Sequence, residues 1–265
     1  MKIGPRPILV AFTAALALAA CGSSSTPGTA GPSATPDPFS GSITVLAASS
    51  LTSTFNSVEA ALETDHPGFK ATYSFAGSQT LVTNIINGAP ADVIATANTS
   101  TMAQLTAKGL VDTPQAFCQN KLEIITAPGN PKNITSLADL VNPGVSVVIG
   151  DPSVPVGEYA ADVLTAANLK LTPKSLQLDD AEVVEQVESG NADAALVFVT
   201  DVVSAGGKVT GVPIPDAQNK IGTYDIAVLK SSTNAGAAAA FVTSAVSGAV
   251  QAALKTAGFL PPPAS

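Results

Sequence analysis

The sequence predicts an α/β fold built on a parallel sheet, and three observations carry that prediction. Between Ile43 and Thr96, apolar strand runs alternate with helical stripes in the order strand, helix, strand, helix, strand. That order is the pattern of a parallel sheet with crossover helices. The loops leaving the first two strands, Ala48-Ser49-Ser50 and Ala76-Gly77-Ser78-Gln79, are small-residue helix starts. A later β-branched run, Val145 to Ile149, turns through Gly150-Asp151-Pro152-Ser153-Val154-Pro155-Val156-Gly157-Glu158-Tyr159 into a helix reaching Asn168.

Each element has its own warrant. Ile43 to Ala47 is a short apolar strand. The helix from Leu51 to Glu63 sets Leu51, Phe55, Val58 and Leu62 on one face, with Ser49 or Ser50 as its N-cap. From Lys70 to Phe75, Ala71, Tyr73 and Phe75 alternate with Thr72 and Ser74, which reads as a strand. The next helix carries Leu81, Val82, Ile85 and Ile86, and Gly88-Ala89-Pro90 stops it before the strand Ala91 to Thr96. A helix from Thr101 to Lys108 follows, then a strand from Lys121 to Ala127, the turn Pro128-Gly129-Asn130-Pro131 and a capping box over Ser136 to Asp139. Beyond the Val145 run, Leu176 to Asp180 leads into a helix from Ala181 to Glu188. Strands are expected at Ala194 to Val199, Lys208 to Ile214 and Thr223 to Leu229. Helices over Asn234 to Val246 and Ser247 to Ala257 complete the chain.

Not all 265 residues belong to that fold. Lys2 and Arg6 precede an apolar stretch, Ile8 to Ala20, too short to span a bilayer and stay, so residues 1–20 read as a cleaved leader. Leu18-Ala19-Ala20-Cys21 resembles a bacterial lipobox, which implies cleavage before Cys21 and a lipid on its sulfur, holding the protein on the outer face of the cell membrane. Residues 21–40 are chiefly Gly, Ser, Thr, Pro and Ala and read as a disordered tether. About 225 residues remain, room for one large or two small domains.

Composition excludes several function classes. With Cys21 lipidated, Cys118 stands alone and forms neither an internal disulfide nor a cysteine metal site; its default is a small buried residue. Without Lys2 and Arg6 the chain has ten basic and twenty acidic residues, no arginine, no tryptophan and one histidine, His66. Such a chain is a poor partner for nucleic acid or anionic lipid. A serine hydrolase would have to use His66, which reads as solvated where a helix ends at Pro67-Gly68.

A helix that starts on a tight turn aims unpaired N–H groups outward and is a ready anion site. One such loop is usually an ordinary connection, and one serine usually only a cap. Several at the carboxyl ends of strands lie where open α/β sheets bind ligands. A deprotonated tetrahedral oxyanion asks for donors only, which hydroxyls and helix N-termini supply without a counter-charge. A carboxylate in the site would instead accept the proton of an anion such as hydrogen phosphate. Asp151 and Glu158 flank the long loop, the first as a turn residue and the second in a helix's first turn.

Four segments, Val45-Leu46-Ala47-Ala48-Ser49-Ser50-Leu51, Phe75-Ala76-Gly77-Ser78, Gly88-Ala89-Pro90-Ala91-Asp92-Val93 and Gly150 to Tyr159, resemble in order and spacing the substrate-binding protein of bacterial molybdate ABC transporters. Gly190-Asn191-Ala192-Asp193-Ala194-Ala195-Leu196-Val197-Phe198 and Ala257-Gly258-Phe259 fit too, so the resemblance spans Ser42 to Phe259. It implies a two-lobed α/β clamshell of the class II periplasmic-binding-protein type with the ligand in the inter-lobe cleft. Lobe one would be 41–124 plus 222–265, lobe two 125–221, with hinge crossings near Ile124–Thr126 and Thr223–Asp225. It implies that Ser50 and Ser78 present hydroxyls and that Val156 and Val183 donate backbone N–H groups, Val183 with a gap of about one helical turn against the commoner pattern. The fifth position, a tyrosine in the family, is Phe198 here and cannot donate. One hydrogen bond to a charged group is worth about 1.5–3 kcal/mol, and Tyr159 is the nearest substitute donor in sequence. The implied function is capture of molybdate, and of tungstate, for an ABC permease by a monomer without enzymatic activity. No cofactor and no bare metal cation is implied, since the metal arrives as its oxyanion. The alternatives are the same fold on sulfate, phosphate or a small organic acid, a serine hydrolase using Ser50 or Ser78, and a surface lipoprotein with no small ligand.

Overall fold

The computed structural model describes residues 37–264; the leader, Cys21 and the tether as far as Pro36 lie outside the described residues. In chain order the elements are β1 (Gly41–Ala48), α1 (Thr52–Asp65), β2 (Phe69–Ala76), α2 (Ser78–Ile86), β3 (Val93–Thr96), α3 (Thr99–Ala107) and β4 (Gln115–Thr126). Then come β5 (Val147–Gly150), α4 (Pro155–Ala166), β6 (Ser175–Gln177), α5 (Asp180–Glu188), β7 (Ala194–Phe198) and α6 (Val199–Ala205). The chain ends with β8 (Thr210–Pro213), β9 (Ile221–Val228), α7 (Ala235–Ser247) and α8 (Ala249–Thr256).

The strands run in the order β2-β1-β3-β9-β4-β7-β5-β6, with β8 on β4. The expected parallel pairing holds within each half: β1 lies parallel to β2 and β3, and β5 to β6 and β7. Around β9 and β4 it fails, because β9 is antiparallel to β3 and β4, and β4 is antiparallel to β7 and β8. The result is a mixed α/β clamshell of two lobes, each with its own parallel patch.

Strand β4 joins the halves. Gln115 to Lys121 pair with β9, and Leu122 to Thr126 pair with β7. The partner change therefore falls just before the expected Ile124–Thr126 crossing. Strand β9 belongs to the first half from Ile221 onward, so the return crossing precedes Thr223–Asp225. The sequence reading began this strand only at Lys121. A bulge between Ala116 and Cys118 shifts the register, so the period-two signal of its first half is broken. Helix α6 also differs from expectation: Val199 continues the apolar run of β7, yet Asp201 accepts the Phe198 N–H at 2.9 Å and starts a helix there.

An aromatic chain fills the junction. Tyr224, fully buried on β9, meets Phe117, Phe198 and Phe259 edge-on at ring distances of 6.4, 5.8 and 5.4 Å, an arrangement in which positive ring edges face negative ring faces. Cys118 is buried beside it as a free thiol. At the start of the described chain, Phe39 is buried and stacks on His66 at 4.3 Å, and the His66 ring lies 2.9 Å from Asp37. The fold takes in residues 37–40 of the expected tether, and His66, still partly exposed to solvent, is held by a ring and a carboxylate.

Candidate functional site

Helix starts from both halves face one narrow cavity of about 10 Å³. The first half supplies Ser49 and Ser50 after β1, Gly77 and Ser78 at the start of α2, and Ala97 after β3. The second supplies Val154, Pro155 and Val156 at the start of α4, Asp179 and Asp180 at the start of α5, and Phe198 at the end of β7. Pockets for organic ligands run from about 300 Å³ upward, so this space, about that of a single water, admits none of them. A larger surface depression, around Pro90 to Asp92 and Leu229 to Thr233, gathers no set of helix starts.

Local chemistry explains why these residues sit here. Ser78 is 1% exposed, and its hydroxyl oxygen accepts the Ala97 N–H at 3.0 Å, which leaves its own proton free for another acceptor. Ser50 Oγ lies 3.0 Å from the Tyr224 hydroxyl, which in turn lies 3.4 Å from Asn120 Nδ2. Pro155 occupies the first helical position of α4, where a missing N–H costs nothing. Val156 comes next, in the turn whose N–H groups have no intrahelical partner. Gly157 is required: a Cβ there would overlap the Asp151 carbonyl. Gly77 is required too, since a Cβ would collide with the carbonyl of Leu178 from the other half. Backbone thus approaches backbone across the cleft.

The structure brings Ser50, Ser78, Val156 and Phe198 together, but not Val183 or the Tyr159 hydroxyl. Val183 is fully buried among Val148, Val187 and Val197, and its N–H bonds the Asp179 carbonyl at 3.3 Å. Helix α5 starts at Asp180, one turn earlier, so the unpaired N–H groups belong to that turn. Tyr159 donates its hydroxyl proton to the Ala97 carbonyl at 3.3 Å and packs edge-on against Phe198. Its one proton is committed, so it does not replace the missing donor. Asp151 accepts from the Ser153 N–H and hydroxyl, an ordinary turn. Glu158 accepts from Asn98 Nδ2 and Ser100 Oγ of the first half.

His66 sits at the opposite end of α1 from Ser50. The helix has 14 residues, about 21 Å at 1.5 Å per residue, so His66 cannot take a proton from Ser50. Ser78 lies at the far end of β2 from His66 and is equally out of reach.

Sequence reasoning missed three groups. Asp180 is 4% exposed, lines the cavity, and its Oδ2 has no partner among the described residues. Asp201 is buried behind it. Burial, and then the neighbouring charge of Asp179, push the Asp180 carboxyl well above the usual range. Burial, and then the charge of Asp180, do the same to Asp201. Tyr224 is the third, its phenol raised by burial and then by Asp180. The signal present in the sequence was the pair Asp179-Asp180 at a helix start, which reads as a simple cap because Asp is a favoured N-cap residue. Asp179 does cap, accepting the Glu182 N–H at 2.8 Å.

Two lobes closing helix starts on a small cavity define a solute-binding protein. The family of bacterial extracellular solute-binding proteins matches residues 43–260, and the chain belongs to it. The molybdate-binding protein of Mycobacterium tuberculosis H37Rv is 38% identical over 261 residues, covering 98% of this chain and 99% of that one. Among solved structures, the substrate-binding domain of a proposed molybdenum ABC transporter from Clostridium difficile matches with a TM-score of 0.65 and 28% identity, over 84% of this chain and all of that one. The periplasmic molybdate-binding protein of Azotobacter vinelandii matches with a TM-score of 0.73 over 83% of this chain and all of that one; at 19% identity this likeness shows the fold.

Proposed function

We propose that this protein captures molybdate outside the cytoplasm and delivers it to an ABC permease, with tungstate as a second cargo. The observation that carries the reading is the cavity itself: small, built from helix starts of both lobes, and lined by serine hydroxyls beside Asp179 and Asp180, with no lysine or arginine. A fully deprotonated oxyanion is satisfied by such donors. The full-length relative from Mycobacterium tuberculosis supports the choice of molybdate.

Ser50, Ser78 and the Val156 N–H hold the anion, and the first turn of α5 at Asp180 takes the part first expected of Val183. Phe198 supplies shape and no hydrogen bond. Lobe one runs to Lys121 and resumes at Ile221, with β4 and the β8–β9 segment as the hinge. Closure brings the Ser50 and Ser78 loops against the starts of α4 and α5. Lipid on Cys21 anchors a monomer at the membrane. Calorimetry at micromolar protein, with molybdate and then with a hundredfold excess of sulfate, tests the cargo. Heat with molybdate that survives sulfate is expected, and no molybdate heat sinks the reading. Mass spectrometry of the membrane fraction, wild type against Cys21→Ser, tests the anchor.

A further inference from the structure

Phe198 offers the cavity no hydrogen bond, and an acid with an unpartnered oxygen stands in the same space. Asp180 is 96% buried by its 4% exposure and lines the cavity with Ser50, Ser78 and Phe198, its Oδ2 unpartnered among the described residues. Asp201 is attached to the substituted position itself, accepting the Phe198 N–H at 2.9 Å. Asp180 and Asp201 are both buried, and the charge of Asp180 acts directly on Asp201.

The charged and titratable groups acting on Asp180 are Asp179 on its own helix, Asp201 on α6 and Tyr224 on β9, with Ser50 as a neutral neighbour. None is a cation. Lys208, in the groove beyond Asp201, lies 3.5 Å from Glu188. An ionised Asp180 facing an oxyanion would be one anion against another in a site with no counter-charge, an arrangement in which the proton stays on.

We propose that Asp180 is a specificity-determining residue that binds the oxyanion as a protonated carboxyl, its O–H donating to an oxyanion oxygen in place of the hydroxyl absent at Phe198, with Asp201 as the positioning residue behind it. The proposal rests on the oxyanion reading above. Burial and the charge of Asp179 both favour the protonated form, and an acid kept neutral by its surroundings is a competent donor. Capture above the pair's titration range then draws a proton from solvent. An anion that only accepts hydrogen bonds gains from this donor.

The test is calorimetry of the folded protein with sodium molybdate in buffer pairs of matched pH and different ionisation enthalpy, from about pH 6 to about pH 8.5. The expected result is uptake of close to one proton at the alkaline end, with Kd rising by up to about tenfold per pH unit there. Asp180→Asn, whose amide N–H donates without titrating, should bind with a flat pH profile and no proton uptake. If that variant fails to fold, the wild-type proton count decides alone. Molybdate binding with no proton uptake at any pH overturns the proposal and leaves the oxyanion reading intact. Inorganic phosphate binding as tightly as molybdate also overturns it, since Asp180 would then be accepting the ligand's proton. No heat with molybdate at any pH overturns the oxyanion reading itself.

Discussion

Asp92 and Asp180 are both buried aspartates, 8% and 4% exposed, in opposite surroundings. Asp92 Oδ2 accepts the Thr44 N–H at 2.7 Å, and its Oδ1 accepts the Ser232 hydroxyl at 2.6 Å and the Thr233 N–H at 3.2 Å. Burial acts to raise its pKa, but these donors outweigh it and hold the group below the usual value. Asp180 has an unpartnered oxygen and two acids beside it, and is raised. Burial alone therefore does not reveal what an aspartate does. A carboxylate saturated with donors ties β1 to the loop after β9. One short of donors keeps its proton and faces the cavity.

The largest effect should come from removing the saturated acid. Asp92→Ala strands three donors and should cost about 3 kcal/mol in urea unfolding, with the Kd of the folded fraction unchanged. Next is Ser78→Ala, which removes a donor to the anion and the acceptor of the Ala97 N–H. We expect a loss of about 2 kcal/mol in binding, roughly a thirtyfold rise in Kd by calorimetry. Asp180→Asn should act on the unliganded protein in the opposite sense to Asp92→Ala. A raised carboxyl contributes its stability below the ordinary carboxylate pKa and loses it as pH rises through the folded value. A lowered one contributes above the ordinary value and loses it as pH falls through the folded value. So Asp180→Asn should gain about 1 kcal/mol at pH 8 and nothing at pH 4, while the cost of Asp92→Ala is largest at pH 8. Thermal melts at the two pH values check the crossing, and shifts of the same sign in both variants would remove the distinction between the two acids.

The same contrast shows what the sequence carried. The alternating elements, the serine loops and the Gly150 to Tyr159 loop were legible because each is a local pattern of period, small residues and breakers. The first half of β4 was not, since its bulge erases the alternation. The start of α5 was ambiguous because either of two adjacent aspartates can cap, and Val183, taken from the resemblance, lies one turn further into the helix than the residue that borders the cavity. The roles of Asp180, Asp201 and Tyr224 depend on meetings across the chain, at Ser50 and at the junction of β4 and β9, that no local window contains. The Tyr159 hydroxyl is lost to Ala97 for the same reason.

The smallest effect tests whether donors or closure set the affinity. Glu158, on α4 of the second lobe, accepts from Asn98 and from Ser100 at 3.2 Å, both on the first lobe. Asn98 cannot swing away freely, because its Oδ1 also accepts the Thr101 N–H at 3.0 Å and caps α3. These contacts form only when the lobes meet, so they add to the closed state and touch no ligand. Hydrogen bonds of this kind contribute about 0.5–1.5 kcal/mol net. Glu158→Ala should therefore raise the molybdate Kd about threefold and enlarge the radius of gyration of the unliganded protein in small-angle scattering, with saturating molybdate restoring it. A loss as large as that of Ser78→Ala would mean that the closing contacts, not the donors around the anion, set the affinity.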